Sequence, residues 1–209
     1  MSTSNNPRIL RVGYEAARLE LARLKLTGEN ARKLAARNAT ANSAQALAVE
    51  RVGIWLCNPD HDALLCFDQY ERSRDGHVLT APLRARDFPS YVAALREHRA
   101  IVADDARTHL LTRELYAEYL APLGITSMLD APIIREGEVI GVVCHEHVGP
   151  ARSWSQKEID FASSVADIVT TVFGQADRLD LQAERQHADA EQSNSAKMDA
   201  LERAGSLTT

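Results

Sequence analysis

Apolar positions along the chain switch between helical and extended spacing, and the switches lay out a mixed order of helices and strands. Over residues 9–26, Ile9, Val12, Ala16, Leu19 and then Leu24 or Leu26 form a narrow helical stripe, with Arg11, Glu15, Arg18 and Arg23 opposite. Such a stripe suits either a second helix or the chain's own domain. Thr27-Gly28 interrupts it. Residues 29–47 read as another helix, rich in alanine (Ala31, Ala35, Ala36, Ala39, Ala44, Ala46), whose small side chains permit close approach. Residues 52–57 predict a strand, 58–62 a turn cluster and 64–70 the returning strand. A polar loop over 71–80 follows, with Asp75-Gly76 as a turn and a short strand at 77–79. Asp87 is the expected cap of a helix over 90–98, with Pro89 in its first turn. Residues 100–103 read as a brief strand. Thr112 is the expected cap of a helix to about residue 120, with Leu115, Tyr116 and Tyr119 on its apolar side and Gly124 at its end.

Residues 127–173 carry the strongest pattern. Met128, Ala131, Ile133 and Ile134 supply one extended run, and residues 139–144 a second, rich in β-branched side chains. Between them Arg135-Glu136-Gly137-Glu138 is a turn with glycine where positive φ is cheap. Ser155-Gln156-Lys157-Glu158 is a capping-box pattern: Ser155 can accept from the Glu158 amide while Glu158 reaches back. Ile159, Ala162, Val165, Ala166, Val169, Val172 and Phe173 then recur at helical spacing. The helix continues through Ala176, Leu179 and Ala183, and over 185–197 only alanines interrupt its polar character. A helix with so weak a stripe needs packing to be stable in water. Pairing with a second copy is the simplest source of it.

Composition narrows the function classes. The chain has 209 residues, of which 45% are hydrophobic and 25% charged, with a net charge of −5. That balance argues against a nucleic-acid surface, which needs clustered Lys and Arg. No apolar run approaches the ~18 residues of a membrane span, and the first residues lack a signal-peptide core. The expectation is a cytoplasmic protein without a membrane partner. Three cysteines fit a reducing compartment better than a disulfide framework.

Several stretches resemble the GAF domain of bacterial signalling proteins: Arg51-Val52-Gly53-Ile54-Trp55-Leu56, Val102-Ala103-Asp104-Asp105-Ala106, the run 124–133, Gly141-Val142-Val143-Cys144-His145-Glu146-His147, and Trp154-Ser155-Gln156-Lys157-Glu158 with the helix after it. The resemblance implies an α+β fold, with a central antiparallel sheet of about six strands flanked by helices and long terminal helices. It divides the chain into an N-terminal tail and helix (1–27), a sensory domain (28–174) and a C-terminal signalling or coiled-coil helix (175–209). Long helices would cover one sheet face, and the helices at 87–98 and 112–121 would close a ligand pocket over the other. Ala196-Lys197-Met198-Asp199-Ala200-Leu201 is similar to the start of the phosphoacceptor helix of sensor histidine kinases. No phosphoacceptor histidine or ATP-binding domain follows it here. The implied partners are a second copy of the chain, a small-molecule ligand and a kinase-type output, and the chain itself is expected not to be an enzyme; a purely structural dimerisation module with an empty pocket is the alternative.

The pocket candidates are Tyr70, Phe88, Asp104, Asp105, Tyr116, Tyr119 and Ser127, aromatics with a few polar groups as small-ligand sites require. Against this, Tyr116 and Tyr119 could simply pack a helix on the sheet, and Asp104 and Asp105 could cap local turns. Leu19, Val165, Val169, Val172 and Leu179 are the expected dimer and signalling positions. Cys57, Cys66, His145 and His147 are a weak metal alternative, since no close-spaced ligand pair supports them. The cysteines read first as ordinary buried residues, with a small redox enzyme as an alternative. None of the three lies within 80–125, which disfavours covalent bilin attachment of the kind some relatives carry. The residues identify no cofactor. His77, His98 and His109 lie on polar stretches and are expected at the surface.

Overall fold

The computed structural model of the chain describes residues 13–23 and 30–205. Ile9, Val12, Leu24, Leu26 and the Thr27-Gly28 break lie outside the described residues, as do the side chains of Met198 and Leu201. Helix α1 spans Tyr14–Ala22 and α2 spans Ala31–Leu47. Strands β1 (Arg51–Cys57) and β2 (Ala63–Glu71) follow, then the short β3 (Gly76–Val78) and β4 (Leu83–Arg84). Next come α3 (Pro89–Glu97) and β5 (Ile101–Ala103). A helical stretch passes from a 3-10 turn (Arg113–Leu115) through a π turn (Tyr116–Leu120) into α4 (Ala121–Leu123). The long hairpin β6 (Ile125–Arg135) and β7 (Glu138–Val148) leads into α5 (Gln156–Gly205).

The seven strands form one antiparallel sheet in the order β3-β2-β1-β7-β6-β5, with β4 also on β2. The two-residue β4 is the strand that the expected count of about six lacks. At the β6–β7 turn both Glu136 and Gly137 have positive φ, 54° and 86°, the backbone of a tight hairpin whose twist matches its strands.

Alternation along each strand sorts side chains to two cores. Val52, Ile54, Leu129, Ala131, Ile133 and Val143 face α1, α2 and α5. The alanines of α2 let it lie close to the sheet, and Phe161, Ala162, Val165, Ala166, Val169 and Phe173 of α5 fill the remainder. On the opposite face Trp55, Met128, Val142 and Cys144 meet Phe88, Tyr91, Leu95, Leu115, Tyr119 and Leu120. The segment over residues 79–123 is thus a lid on the second face.

Two expected side-chain caps do not form. Asp87 pairs with Arg86, and Phe88 occupies the cap position of α3 without a side-chain hydrogen bond. Glu114, distant in sequence, caps α3 instead: its carboxylate accepts the Ser90 N–H at 2.9 Å, the Tyr91 N–H at 3.4 Å and the Ser90 hydroxyl at 2.6 Å. Thr112 turns away from its helix and donates to the Ala106 carbonyl. Glu114→Ala should cost about 1 kcal/mol of stability, as losing a cap does. The Ser90 hydrogen bond lowers the Glu114 carboxyl below its usual 4.5. The contribution is therefore present above that value and lost as pH falls through the folded value. Denaturation of wild type and variant at neutral and acid pH reads the difference, which should shrink in acid.

At the root of α5 the capping box is half formed. Glu158 reaches back to the Ser155 N–H at 2.8 Å, but the Ser155 hydroxyl donates to the same carboxylate oxygen.

Candidate functional site

The lid face carries a buried polar constellation. Arg51, at the start of β1, donates to Glu146 of β7 at 2.9 Å and to Glu71 of β2 at 2.6 Å. With its amide turned to face the guanidinium, Gln69 accepts from Arg51 as well. Strand pairing produces this grouping, since Arg51 lies opposite Glu71 on one side and Glu146 on the other. From the lid, Tyr119 donates its hydroxyl to Glu146 at 2.7 Å. Two residues back along β7, Cys144 lies opposite Asp130 of β6. Tyr91 of α3 donates to Asp130 Oδ2 at 2.8 Å and lies 3.5 Å from Cys144 Sγ.

These groups are all buried, and burial controls their protonation. It pushes the Asp130 carboxyl up to about 8, only partly offset by the Tyr91 hydroxyl. It raises Glu146 too, against the pull of Arg51 and Tyr119. The Tyr91 and Tyr119 hydroxyls and the Cys144 thiol are driven well above their ordinary values, again chiefly by burial.

Outside Tyr119 a cleft of about 580 Å³ opens between residues 80–88 and 118–123. Its wall includes Thr80, Pro82, Phe88, Tyr119 and Leu123, and Arg84, Asp87 and Glu118 give it charge. Tyr119 has the open cleft on one side and the buried acid Glu146 on the other.

The expected pocket residues divide. Phe88 and Tyr119 are buried on the lid face and line the cleft. Tyr116 is half exposed. Tyr70 is a correction: it lies in the core on the opposite face, donating to Asp75 at 2.6 Å. Asp105 stays in its loop and binds Arg107. Asp104 and Ser127 build a joint rather than a pocket. The Asp104 carboxylate accepts the Trp154 N–H at 3.1 Å, and its carbonyl accepts the Ser127 hydroxyl at 2.7 Å. Ser127 Oγ also accepts the Arg152 N–H at 2.9 Å. Arg152 stacks on Trp154, donates to the Leu47 carbonyl at the end of α2 and pairs with Glu158.

A family profile for the GAF domain matches residues 32–172. The chain belongs to the GAF domain family. No curated protein matches it by sequence. Among solved structures it is similar to the phycocyanobilin-bound GAF domain of a cyanobacterial phytochrome (TM-score 0.63, 19% identity, 78% of this chain and 94% of that one). It is also similar to the GAF domain of a Coxiella burnetii phosphoenolpyruvate-protein phosphotransferase (TM-score 0.62, 15% identity, 85% and 99%). At these identities the likeness is one of fold.

This GAF domain does not assemble the alternative metal set. Cys57 and Cys66 pack on the lid face, whereas His145 sits between Cys144 and Glu146 on β7 and so points to the helical face. There it bonds the Leu129 carbonyl at 2.8 Å. β2, which holds Cys66, lies beyond β1 rather than beside β7. Among the described residues no three His, Cys, Asp or Glu side chains gather as a metal site. Burial raises Cys57, Cys66 and Cys144 above the ordinary thiol value, so none is poised as a thiolate nucleophile. His77 is another correction. It is largely buried, with Nδ1 2.9 Å from Asp68, which also accepts the Thr40 hydroxyl. His98 is exposed and His109 half-buried.

Val165, Val169 and Val172, expected at a dimer seam, are buried in the domain's own core. The same helical stripe satisfies a sheet as well as a partner helix. Leu19 and Leu179 remain about half exposed, as does Leu181. No helix among the described residues is long and apolar enough to cross a membrane.

Polar residues inside apolar strands were the signal for the constellation. Asp130 follows Met128 at strand spacing, and Glu146 follows Cys144, so each pair shares one face.

Proposed function

We propose that this GAF domain is a sensory module of bacterial signal transduction. It holds a small molecule under the lid, dimerises through α1 and α5, and passes a change in lid position to a kinase-type output, without catalysing a reaction itself. The observation that carries this reading is the joint at Asp104, Ser127, Arg152 and Trp154. Asp104 follows β5 at the lid, and Trp154 lies two residues before α5 begins. A hydrogen bond joins the two directly. A ligand that binds the two lid positions unequally therefore biases two placements of the α5 root, and only that difference in affinity can drive the switch.

Dimerisation is supported by α5 beyond the domain. Residues 181–192 are exposed along their whole length, and a helix of this kind depends on packing. Leu179, about half exposed, supplies apolar contact for a second copy. Light scattering at tens of micromolar should give a mass near twice 23.0 kDa, and Leu179→Glu should shift it toward the monomer. A wild-type monomer overturns the dimer reading. The absorption spectrum of the same natively purified sample, with a binding screen of nucleotides, haem, flavins and metabolites, tests the sensor half.

A further inference from the structure

We infer that the ligand under the lid is a small organic cation with several N–H donors, its charged end held by Asp130 and Glu146 behind Tyr119. The inference rests on the reading of the lid face as the sensing site and adds the chemical class. Three carboxyls, Asp130, Glu146 and Glu71, share this buried cluster with one guanidinium, Arg51. Arg51 is spent on Glu146, Glu71 and Gln69. An anion entering here would meet carboxyls, with the one buried guanidinium already bound.

The second observation is Asp130 Oδ1. Asp130 is fully buried, and this oxygen has no hydrogen-bond partner. Burying an acceptor without a full hydrogen bond is costly: Tyr91 donates to Oδ2, and only the Cys144 thiol and the His145 N–H stand near the carboxyl besides. A ligand N–H would complete the group. Asp130 and Glu146 are diagonal neighbours across β6 and β7, about 7–8 Å apart by sheet geometry. A forked donor such as an amidinium or guanidinium suits one carboxylate in two places, and a diamine suits both acids.

The lid holds the place of such a ligand. Tyr91 and Tyr119 each donate a hydroxyl to one of the two acids, and both come from lid elements, α3 and the π turn. Tyr119 lines the outer cleft and bonds Glu146, so its displacement is the proposed way in to the acids, which share one face of the sheet. The ligand's donors then replace the tyrosine hydroxyls, so occupancy and lid position are linked.

Binding also carries a proton signature. The groups facing Asp130 are Tyr91 from α3, Cys144 and Glu146 from β7, with Arg51 of β1 and Tyr119 of the lid next beyond Glu146. Burial holds the Asp130 proton up to about 8. A cation must displace that proton, so affinity should rise up to about tenfold per pH unit below that value and level off above it.

The test is titration calorimetry of the full chain with agmatine, benzamidine and 1,4-diaminobutane, against citrate and cyclic GMP. At least one cation should bind, with proton release at neutral pH. Asp130→Asn should weaken it at least tenfold while near-ultraviolet circular dichroism shows an intact fold. Tyr91→Phe, which removes the competing hydroxyl, should tighten it several-fold, a change in the direction that structural damage would not produce. Equal cation affinity in wild type and both variants overturns the inference. Binding of citrate or cyclic GMP alone overturns it and leaves the sensing reading standing. No binding in this set or in the wider screen overturns both.

Discussion

Arg51→Ala is expected to lower the unfolding free energy by about 3–5 kcal/mol, the scale for breaking a buried ion pair from one side. The guanidinium is buried and joins three strands, β1, β2 and β7, through Glu71 at 2.6 Å and Glu146 at 2.9 Å. Alanine removes the cation and leaves both carboxylates inside. Glu146 keeps one donor, the Tyr119 hydroxyl. Glu71 keeps Arg74, whose side chain is mostly in water, where such a pair contributes little.

The pH dependence follows from the same geometry. Burial already holds the Glu146 carboxyl above its usual 4.5, and Arg51 pulls against that rise. Without Arg51 the folded value climbs further. An acid whose folded value exceeds its unfolded value is best tolerated while protonated, so stability falls as pH rises from the unfolded value toward the folded one. The loss in Arg51→Ala should be smaller at about pH 5 than at about pH 8, by urea denaturation at both. Adding Glu146→Gln to the variant should recover part of the loss at the higher pH and little at the lower. A loss independent of pH would assign the effect to packing rather than to the stranded acids.

The sequence pattern carried the architecture because the architecture is written in period. The hairpin with Gly137 and the alanines of α2 each give a local signal that the structure keeps, and the capping box before α5 is kept in its Glu158 half. The candidate site was less legible for three physical reasons. Tyr70 was a pocket candidate as an aromatic, and strict alternation from Cys66 would put it on the lid face. A bulge pairs Ile54 with Asp68 and Trp55 with Cys66, leaving Phe67 as the extra residue. Asp68 and Tyr70 are thereby turned to the helical face. Cap rules are local and point to Asp87 and Thr112, whereas α3 is capped by Glu114 from another segment and Thr112 bonds the Ala106 carbonyl. Asp104 and Ser127 were expected in the pocket and build a joint instead, because their partners, Trp154 and Arg152, are fixed only once α5 docks. The acid pair itself was legible in principle, as polar residues on the lid face of β6 and β7.

Phe173→Ala is the second large effect expected, about 3–5 kcal/mol as for a buried aromatic truncated to alanine. Its ring is fully buried and meets Phe67 edge-on at 5.2 Å, with the Arg32 guanidinium 4.7 Å above it. This is where α5 separates from α2 and β2. The alanines of α2 cannot expand into the space, so the cavity would persist. Charge also holds this root: Asp177 accepts from Arg32 of α2 at 2.9 Å and from Arg135 at the end of β6 at 2.6 Å. Those side chains are partly in water, so Asp177→Asn should cost only about 1 kcal/mol or less. The ranking decides what fastens the helix. If packing does, Phe173→Ala loses several times more stability than Asp177→Asn, and hydrogen exchange quickens first in the buried turns of α5 over residues 161–176. If the two variants lose equally, the arginine clamp holds the root. The lid-to-helix joint at Trp154 would then act against an electrostatic latch rather than a packed one.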